Sequence, residues 1–328
     1  MPTQAKEAPQ TRPSTSYQAP APDSVPRRAL GKTGEYVSAI GLGGYHLGLI
    51  PTEREAVRVA HAAIDAGITF MDNAWEYHDG KSEVRLGRAL AGRRDQVFLM
   101  TKVCTHGRDA KVAMRQLDDS LRRLKTDYLD LWQVHEVAFY NDPERHFMKG
   151  GVIEALDRAK RQGKVRFVGF TGHKDPALHL QMLSYDYPFD TVQMPLNCCD
   201  ATFRSFEQQV LPELLRRGIA PIGMKSLGGE GDMVKKKAVT AQEALAYAMS
   251  LPVATTVTGI DSMRVLRQNL AVARGFDPLG TQAMQALRGR VAEMAADGRF
   301  ELYKTTAKHE ANVGRKEHGF PLQGESGT

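Results

Sequence analysis

The stretch Phe70-Met71-Asp72-Asn73-Ala74-Trp75-Glu76-Tyr77-His78-Asp79-Gly80-Lys81-Ser82-Glu83 joins an apolar strand, Gly67 to Met71, to a helical pattern, Ser82-Glu83-Val84-Arg85-Leu86-Gly87-Arg88-Ala89-Leu90, through a polar and aromatic turn. Asp72 follows the buried run without a break, and Tyr77 lies in the turn. A lone buried carboxylate is expensive, so an acid at a strand tip calls for a partner. Two other apolar runs offer one: Val97-Phe98-Leu99-Met100-Thr101 ends in Lys102, and Leu129-Asp130-Leu131-Trp132-Gln133-Val134 ends in His135. Neighbouring parallel strands lie about 4.8 Å apart. If these three are neighbours, their ends fall within about 10 Å of one another, and Asp72, Tyr77, Lys102 and His135 meet around one atom.

The same unit recurs along the chain. From Arg27 a short hairpin turns at Gly31-Lys32-Thr33-Gly34, and a strand from Val37 to Leu42 ends in Gly43-Gly44-Tyr45-His46. Apolar strands at 68–72, 97–102, 129–135, 165–171, 191–197, 220–225 and 255–260 then alternate with helical periodicities at 53–66, 82–91, 109–124, 151–162, 176–184, 203–217, 241–250 and 262–274. Strand and helix alternating in this way need right-handed crossovers and a parallel sheet. Eight such strands with no break in composition imply an α/β fold, a closed (β/α)8 TIM barrel over 27–300, whose active site lies at the carboxyl ends of the strands. A doubly wound nucleotide-binding sheet announces itself with Gly-x-Gly-x-x-Gly after its first strand, and Gly41-Leu42-Gly43-Gly44 is not that. A further helical segment, 281–296, follows. The polar C-terminal tail, 301–328, is too short to be a domain; it contains His309 and His318 and either folds over the pocket or lies on the barrel wall.

Composition excludes several classes. The 328 residues are 42% hydrophobic, enough for a large core, and 44 Lys and Arg against 38 Asp and Glu give a charge of +6 spread along the chain. That spread speaks against nucleic acid and suits a phosphate-bearing ligand. Cys104, Cys198 and Cys199 form neither a disulfide framework nor a zinc spacing, so packing roles in a reducing, cytoplasmic compartment are expected. Residues 1–26, rich in Pro, Ala, Gln, Ser and Thr, read as a disordered tail. Arg27-Arg28 is followed by no hydrophobic segment, which argues against an export signal, and no apolar run reaches membrane-spanning length. No His/Asp/Glu cluster marks a metal site at the strand ends.

The four strand-end residues suggest a proton-transfer device. Tyrosine titrates near pH ~10, so a phenol becomes a useful acid when a cation stabilises its phenolate. Lys102 can be that cation, Asp72 can keep it charged, and His135 can donate to a carbonyl oxygen and orient it. Protein side chains carry no hydride, so a nicotinamide cofactor is implied. Each residue alone has a blander reading: Asp72 as a helix cap, Lys102 and His135 as satisfied surface groups, Tyr77 as no signal at all. Tyr45, Trp75 and Trp132 lie near strand ends and are candidates to line a substrate pocket, with Trp132 equally readable as core.

Met71-Asp72-Asn73-Ala74-x-x-Tyr77 with Ser82-Glu83, Thr101-Lys102-Val103, Asp130-Leu131-x-x-x-His135, Gly163-Lys164-Val165-Arg166-x-x-Gly169-Phe170, Val192-Gln193-x-x-x-Asn197 and Asn269-Leu270, in this order, resemble the aldo-keto reductase family over about residues 27 to 275. The resemblance implies a (β/α)8 barrel, with Tyr77 as general acid supported by Lys102, Asp72 and His135. It also implies a cofactor, NADP(H) rather than NAD(H), bound without a Rossmann fold. The cofactor set it carries over is Gly44, Thr171, Gly172, Gln193, Met224, Lys225, Leu227, Gly228, Gly259, Arg264 and Asn269. Departures from the pattern are Gly172 in place of an Asn, with His173 either replacing that contact or starting the next helix, and Met224 in place of a stacking Tyr; a Met can still pack against a ring. Arg264 favours a 2′-phosphate, whereas Asp261 repels one. Lys235-Lys236-Lys237 is a solvated run or a pyrophosphate clamp.

Reduction of a small carbonyl substrate is the function expected. An NAD(P)+-dependent sugar dehydrogenase, or a cofactor-sensing regulatory subunit like the channel β-subunits that resemble this family, are the alternatives. Oligomeric state and substrate identity stay open.

Overall fold

The computed structural model describes residues 24–104 and 109–325. The disorder expected of the N-terminal tail therefore concerns residues that lie mostly outside those described. Val25, within that expected tail, is 4% exposed and belongs to the core, and Pro26 O accepts from Ala39 N–H at 2.8 Å, so the packed chain begins before Arg27.

An antiparallel hairpin, β1 (Arg27–Ala29) and β2 (Tyr36–Ser38), precedes eight parallel strands. These are β3 (Ile40–Gly43), β4 (Phe70–Asp72), β5 (Phe98–Val103), β6 (Leu129–Val134), β7 (Val165–Thr171), β8 (Thr191–Pro195), β9 (Ala220–Met224) and β10 (Thr255–Gly259). They pair in sequence order, and β10 closes the barrel on β3, with Thr256 opposite Ile40. The expected continuous strand from Val37 to Leu42 is split at Ala39. Ser38 causes the break: its hydroxyl donates to Ile40 O at 2.7 Å and accepts from Thr69 N–H at 2.8 Å. The chain thus leaves the hairpin and enters the barrel wall within two residues.

The hairpin stoppers the amino-terminal end of the barrel. Leu30 and Val37 are fully buried against a second core of Phe70, Phe98, Met100, Leu131, Ala220 and Ile222, in which the Phe70, Phe98 and Phe167 rings stack. Gly31 is required at the turn: its φ is +56°, and a Cβ there would meet Ala220 N and Gly218 O at 2.9 Å. Arg28, read at first as half of a possible export signal, donates to Met249 O (2.7 Å) and Val253 O (3.1 Å) and fastens the hairpin to the barrel. Buried Asp130 ties neighbouring strands together at the same end, pairing with Arg94 and Arg166 and accepting from Leu99 N–H, each at 2.8 Å.

Helices form the outer layer and bury their apolar stripes against the strands. Their starts are set by side-chain caps: Thr52 before Glu53–Asp65, Asp109 before Ala110–Leu124, and Thr240 with Glu243 in a capping box before Ala241–Ser250. The helix expected over 203–217 is two, Phe206–Gln209 and Leu211–Arg217, because Pro212 has no N–H to continue the first. Short helices at Gly44–Leu49 and Asp232–Lys235 carry no periodicity long enough to have been read from sequence.

The tail folds over the barrel mouth. Lys304, fully buried, donates to Asp200 Oδ1 (2.7 Å), Glu301 Oε2 (2.8 Å) and Phe203 O (2.8 Å). Asn197, at the end of the β8 segment, donates to Glu301 Oε1 at 3.0 Å and Tyr303 Oη at 3.1 Å. Removing one partner of such a buried cluster strands the others as uncompensated charge. Lys304→Ala should therefore cost roughly 3–5 kcal/mol, read as a lowered midpoint in urea or thermal unfolding; an unchanged midpoint would show that the cluster contributes nothing.

Candidate active site

Strand alternation decides which residues reach the mouth. Asp72 ends β4, Lys102 lies on β5, and His135 follows β6, all at the same end of the barrel. Lys102 is 1% exposed and Asp72 3%. Lys102 Nζ donates to both Asp72 oxygens (2.9 and 2.8 Å), to Asn73 O (2.8 Å) and towards Tyr77 Oη (3.4 Å). Gln193, on β8, donates to Asp72 Oδ2 at 3.0 Å. The Tyr77 ring meets His135 and Tyr45 edge-on, with centroids 5.7 and 5.5 Å apart. The four residues picked out at the strand ends thus come together.

Their electrostatics differ from the expectation in one respect. Tyr77 was expected to be made acidic by the ammonium, but its pKa is held well above the ordinary value, first by burial and then by Asp72, Glu76 and Glu136. Burial also pulls Lys102 down, against the opposing charge of Asp72. One ammonium shared with a carboxylate does not outweigh burial and two further acids, so the phenol rests protonated.

Glu76 and Glu136, two further acids at this site, carry no motif of their own in the sequence. Glu76 precedes Tyr77 and lies 2.6 Å (Oε1) from His135 Nδ1, at ion-pair distance but off the line of a ring N–H. Glu136 follows His135 in the left-handed region (φ +60°), where both its oxygens accept from Ala311 N–H at 3.0 Å. Burial first, and Glu76 next, raise its pKa well above the carboxylate range. The only sequence signal for these two acids is their place next to Tyr77 and His135.

A cleft of ≈ 1220 Å³ leads away from this cluster across the barrel mouth. Asp72, Tyr77 and His135 line it, with Tyr45 and Trp75; so do Thr171, Gln193, Met224, Lys225 and Leu227, and Gly259, Arg264 and Asn269. Residues Lys308 to Val313 of the tail cover it. Lys225 Nζ lies 5.3 Å from the Tyr303 ring centroid, its pKa lowered by burial against the pull of Glu136. His173 stands in the cleft wall, kept neutral by burial, with Nε2 3.8 Å from Glu136; the next helix is capped instead by Asp175, which accepts from Ala177 N–H.

Other expected contacts are placed elsewhere. Trp132, a candidate for the substrate pocket, is fully buried in the layer between strands and helices, because the two-residue alternation of β6 sends Leu131 into the barrel and Trp132 out of it. Gly44, Gly172 and Gly228, expected at the cofactor, are close-packing positions off the cleft wall: a Cβ would meet Asp72 O at 2.5 Å, Val137 O at 2.5 Å and Phe300 O at 2.7 Å respectively. Lys235, Lys236 and Lys237 are exposed and off the wall, so the solvated reading holds over the clamp. The three cysteines are buried and unpaired, and no group of three or more metal-ligating side chains occurs among the described residues.

A dinucleotide fits this surface. Gln193 Oε1 is buried on the cleft wall with no donor among the described residues, the kind of acceptor that a primary amide such as a nicotinamide carboxamide satisfies. Asp261, whose carboxylate accepts from Ser262 Oγ at 2.9 Å, and Arg264 also line the cleft.

The chain matches the Aldo/keto reductase family over residues 39–242. It is 29% identical over 297 residues to L-galactose dehydrogenase of Arabidopsis thaliana, covering 77% of this chain and 89% of that one. It is 32% identical over 225 residues to 6-dehydroglucose reductase of Novosphingobium aromaticivorans, covering 62% and 69%. The fold matches an aldo-keto reductase from Bacillus halodurans in its holo form (TM-score 0.69, 23% identity, 81% of this chain and 96% of that chain). It also matches an aldo/keto reductase from Klebsiella pneumoniae in complex with NADP and acetate (TM-score 0.64, 25% identity, 81% and 95%).

The packing of Gly44 has a consequence for the cluster. A methyl at this position pushes on the Asp72 carbonyl and on Asn73 Cγ, 2.8 Å away, and so on the carboxylate that holds Lys102. Gly44→Ala should lower both the melting temperature and kcat, although it removes no polar group. A variant with wild-type kcat would show that the cluster tolerates displacement.

Proposed function

The chain belongs to the aldo/keto reductase family, and on that premise we propose that this oxidoreductase reduces an aldehyde or ketone to an alcohol, with NADP(H) preferred over NAD(H) and Tyr77 as the proton donor. The observation that carries the reading is the line Tyr77 Oη, Lys102 Nζ, Asp72 at one part of a cleft of ≈ 1220 Å³. When bound, the nicotinamide supplies the hydride. Tyr77 holds the proton until an alkoxide, a stronger base than phenolate, develops beside it. Lys102 then stabilises the phenolate left behind, and Asp72 keeps Lys102 charged. His135 orients the carbonyl oxygen. Thr171 and Gln193 are proposed to hold the carboxamide, Met224 to pack on the ring, Lys225 and Leu227 to meet the pyrophosphate, and Gly259, Arg264 and Asn269 to meet the adenosine.

Oxidation of a sugar hemiacetal is the second reading. It is favoured by the similarity to L-galactose dehydrogenase and by the polar side chains that line the cleft with Tyr77, namely Glu76, His78, Asp79 and Arg123. Comparing NADPH consumption with aldehydes against NAD+ reduction with aldoses separates the two directions. NADPH binding with no turnover in either panel would instead favour a sensing role. No helix among the described residues is long and apolar enough to cross a membrane; a cytoplasmic location is proposed from the unpaired thiols.

Tyr77→Phe should lower kcat by roughly 10²- to 10⁴-fold while leaving NADPH affinity, measured by fluorescence titration, nearly intact. Retained turnover would sink the proton-donor role. Arg264→Ala should weaken NADPH binding about tenfold, or about 1.4 kcal/mol, and leave NADH binding unchanged. Equal weakening of both nucleotides would count against a contact to the 2′-phosphate.

A further inference from the structure

We propose that Glu76 is a positioning residue for His135: its carboxylate holds a proton on Nδ1 and serves as counter-ion to a doubly protonated imidazole that presents Nε2–H to the substrate oxygen. The proposal rests on the carbonyl-reduction reading for its effect on turnover. Its geometry does not, since the contact of 2.6 Å between Nδ1 and Oε1 is present without any ligand.

The argument starts from the proton count of an imidazole. A neutral ring has one N–H, and a ring whose Nδ1 faces a carboxylate keeps that proton on Nδ1. Nε2 is then bare and accepts hydrogen bonds but donates none. The role assigned to His135, donation to a carbonyl oxygen, needs a second proton on Nε2 and therefore a positive ring. A nearby ammonium opposes that charge and an adjacent carboxylate supports it. Glu76 is placed to decide the balance: it lies in the turn between β4 and the helix Lys81–Ala89, its side chain is 15% exposed and that of His135 13%, and its Oε1 is 2.6 Å from Nδ1.

The surroundings point the same way. Delivering its proton leaves Tyr77 as a phenolate beside Asp72 and Glu76, with the charge of Lys102 already shared with Asp72. An imidazolium whose ring meets the phenol edge-on at 5.7 Å offsets that crowding of negative charge. The other groups facing His135 are Glu136, next in the chain and tied to Ala311; His173, after β7, kept neutral by burial; and Cys104, at the end of β5, its thiol held protonated by burial and by Glu76. Lys225, after β9, acts on Glu136 and His173. None of these touches Nδ1, so Glu76 is the group that sets its proton.

The test uses the full chain labelled with 15N-histidine, with His135→Asn to assign the signal. Near neutral pH the wild-type His135 should show both ring nitrogens protonated. Glu76→Gln should lose the second proton at the same pH, and Glu76→Asp should recover it in part. With an aldehyde substrate, Glu76→Gln should reduce kcat about tenfold or more, leave the NADPH dissociation constant unchanged, and move the alkaline limb of the kcat profile to lower pH. A wild-type spectrum with Nδ1 bare overturns the proposal even if Glu76→Gln fails to fold. So does a Glu76→Gln spectrum, or pH profile, identical to wild type. If the wild type turns over no carbonyl, the reading of function fails separately, and the spectra still decide the role of Glu76.

Discussion

The mouth of this barrel is organised by one buried ammonium. Lys102 has almost no contact with solvent, and a charge so placed persists only if paired and hydrogen-bonded. Asp72 on the adjacent strand supplies the pairing and the Asn73 carbonyl completes it. That requirement fixes the relative height of β4 and β5, places the turn that carries Trp75, Glu76 and Tyr77 over the barrel axis, and brings Gln193 from the opposite wall to bond the same carboxylate. The aromatic and acidic residues around it follow from where that turn must run.

Much of the fold was legible because its signals are local and periodic. Apolar runs ending in Asp72, Lys102 and His135, spaced by amphipathic helices, specify strands whose tips share one face, and the structure places those tips together. Where the reading slipped, the cause is a contact the chain makes with distant residues. Ser38 splits a continuous apolar run by bonding to Thr69 and Ile40. Trp132 sits close to the strand end, but parity turns it into the helix layer, and parity could be set only once Leu131 was known to face the barrel axis. Gly44, Gly172 and Gly228 occupy positions at which a side chain would strike backbone, a matter of space that a string of letters does not encode.

The acids were the least visible part of the site. Glu76 and Glu136 adjoin residues that drew notice, yet a Glu in a turn reads as surface. Burial makes them different: the phenol's own burial first, then Asp72 and these acids, hold its proton in place, the reverse of what a single neighbouring ammonium suggests. The phenol of this site is accordingly kept protonated by its setting, as the proton-donor role proposed for it requires.

The plug of Leu30 and Val37 against the stacked phenylalanines carries an implication for the layout of the molecule. With the foot of the barrel filled by this plug, the cleft lies at the opposite end, lined there by residues 308–313 of the tail. The two ends of the molecule thereby divide the work: the foot of the barrel serves stability, and the rim is left to carry the polar and titratable groups.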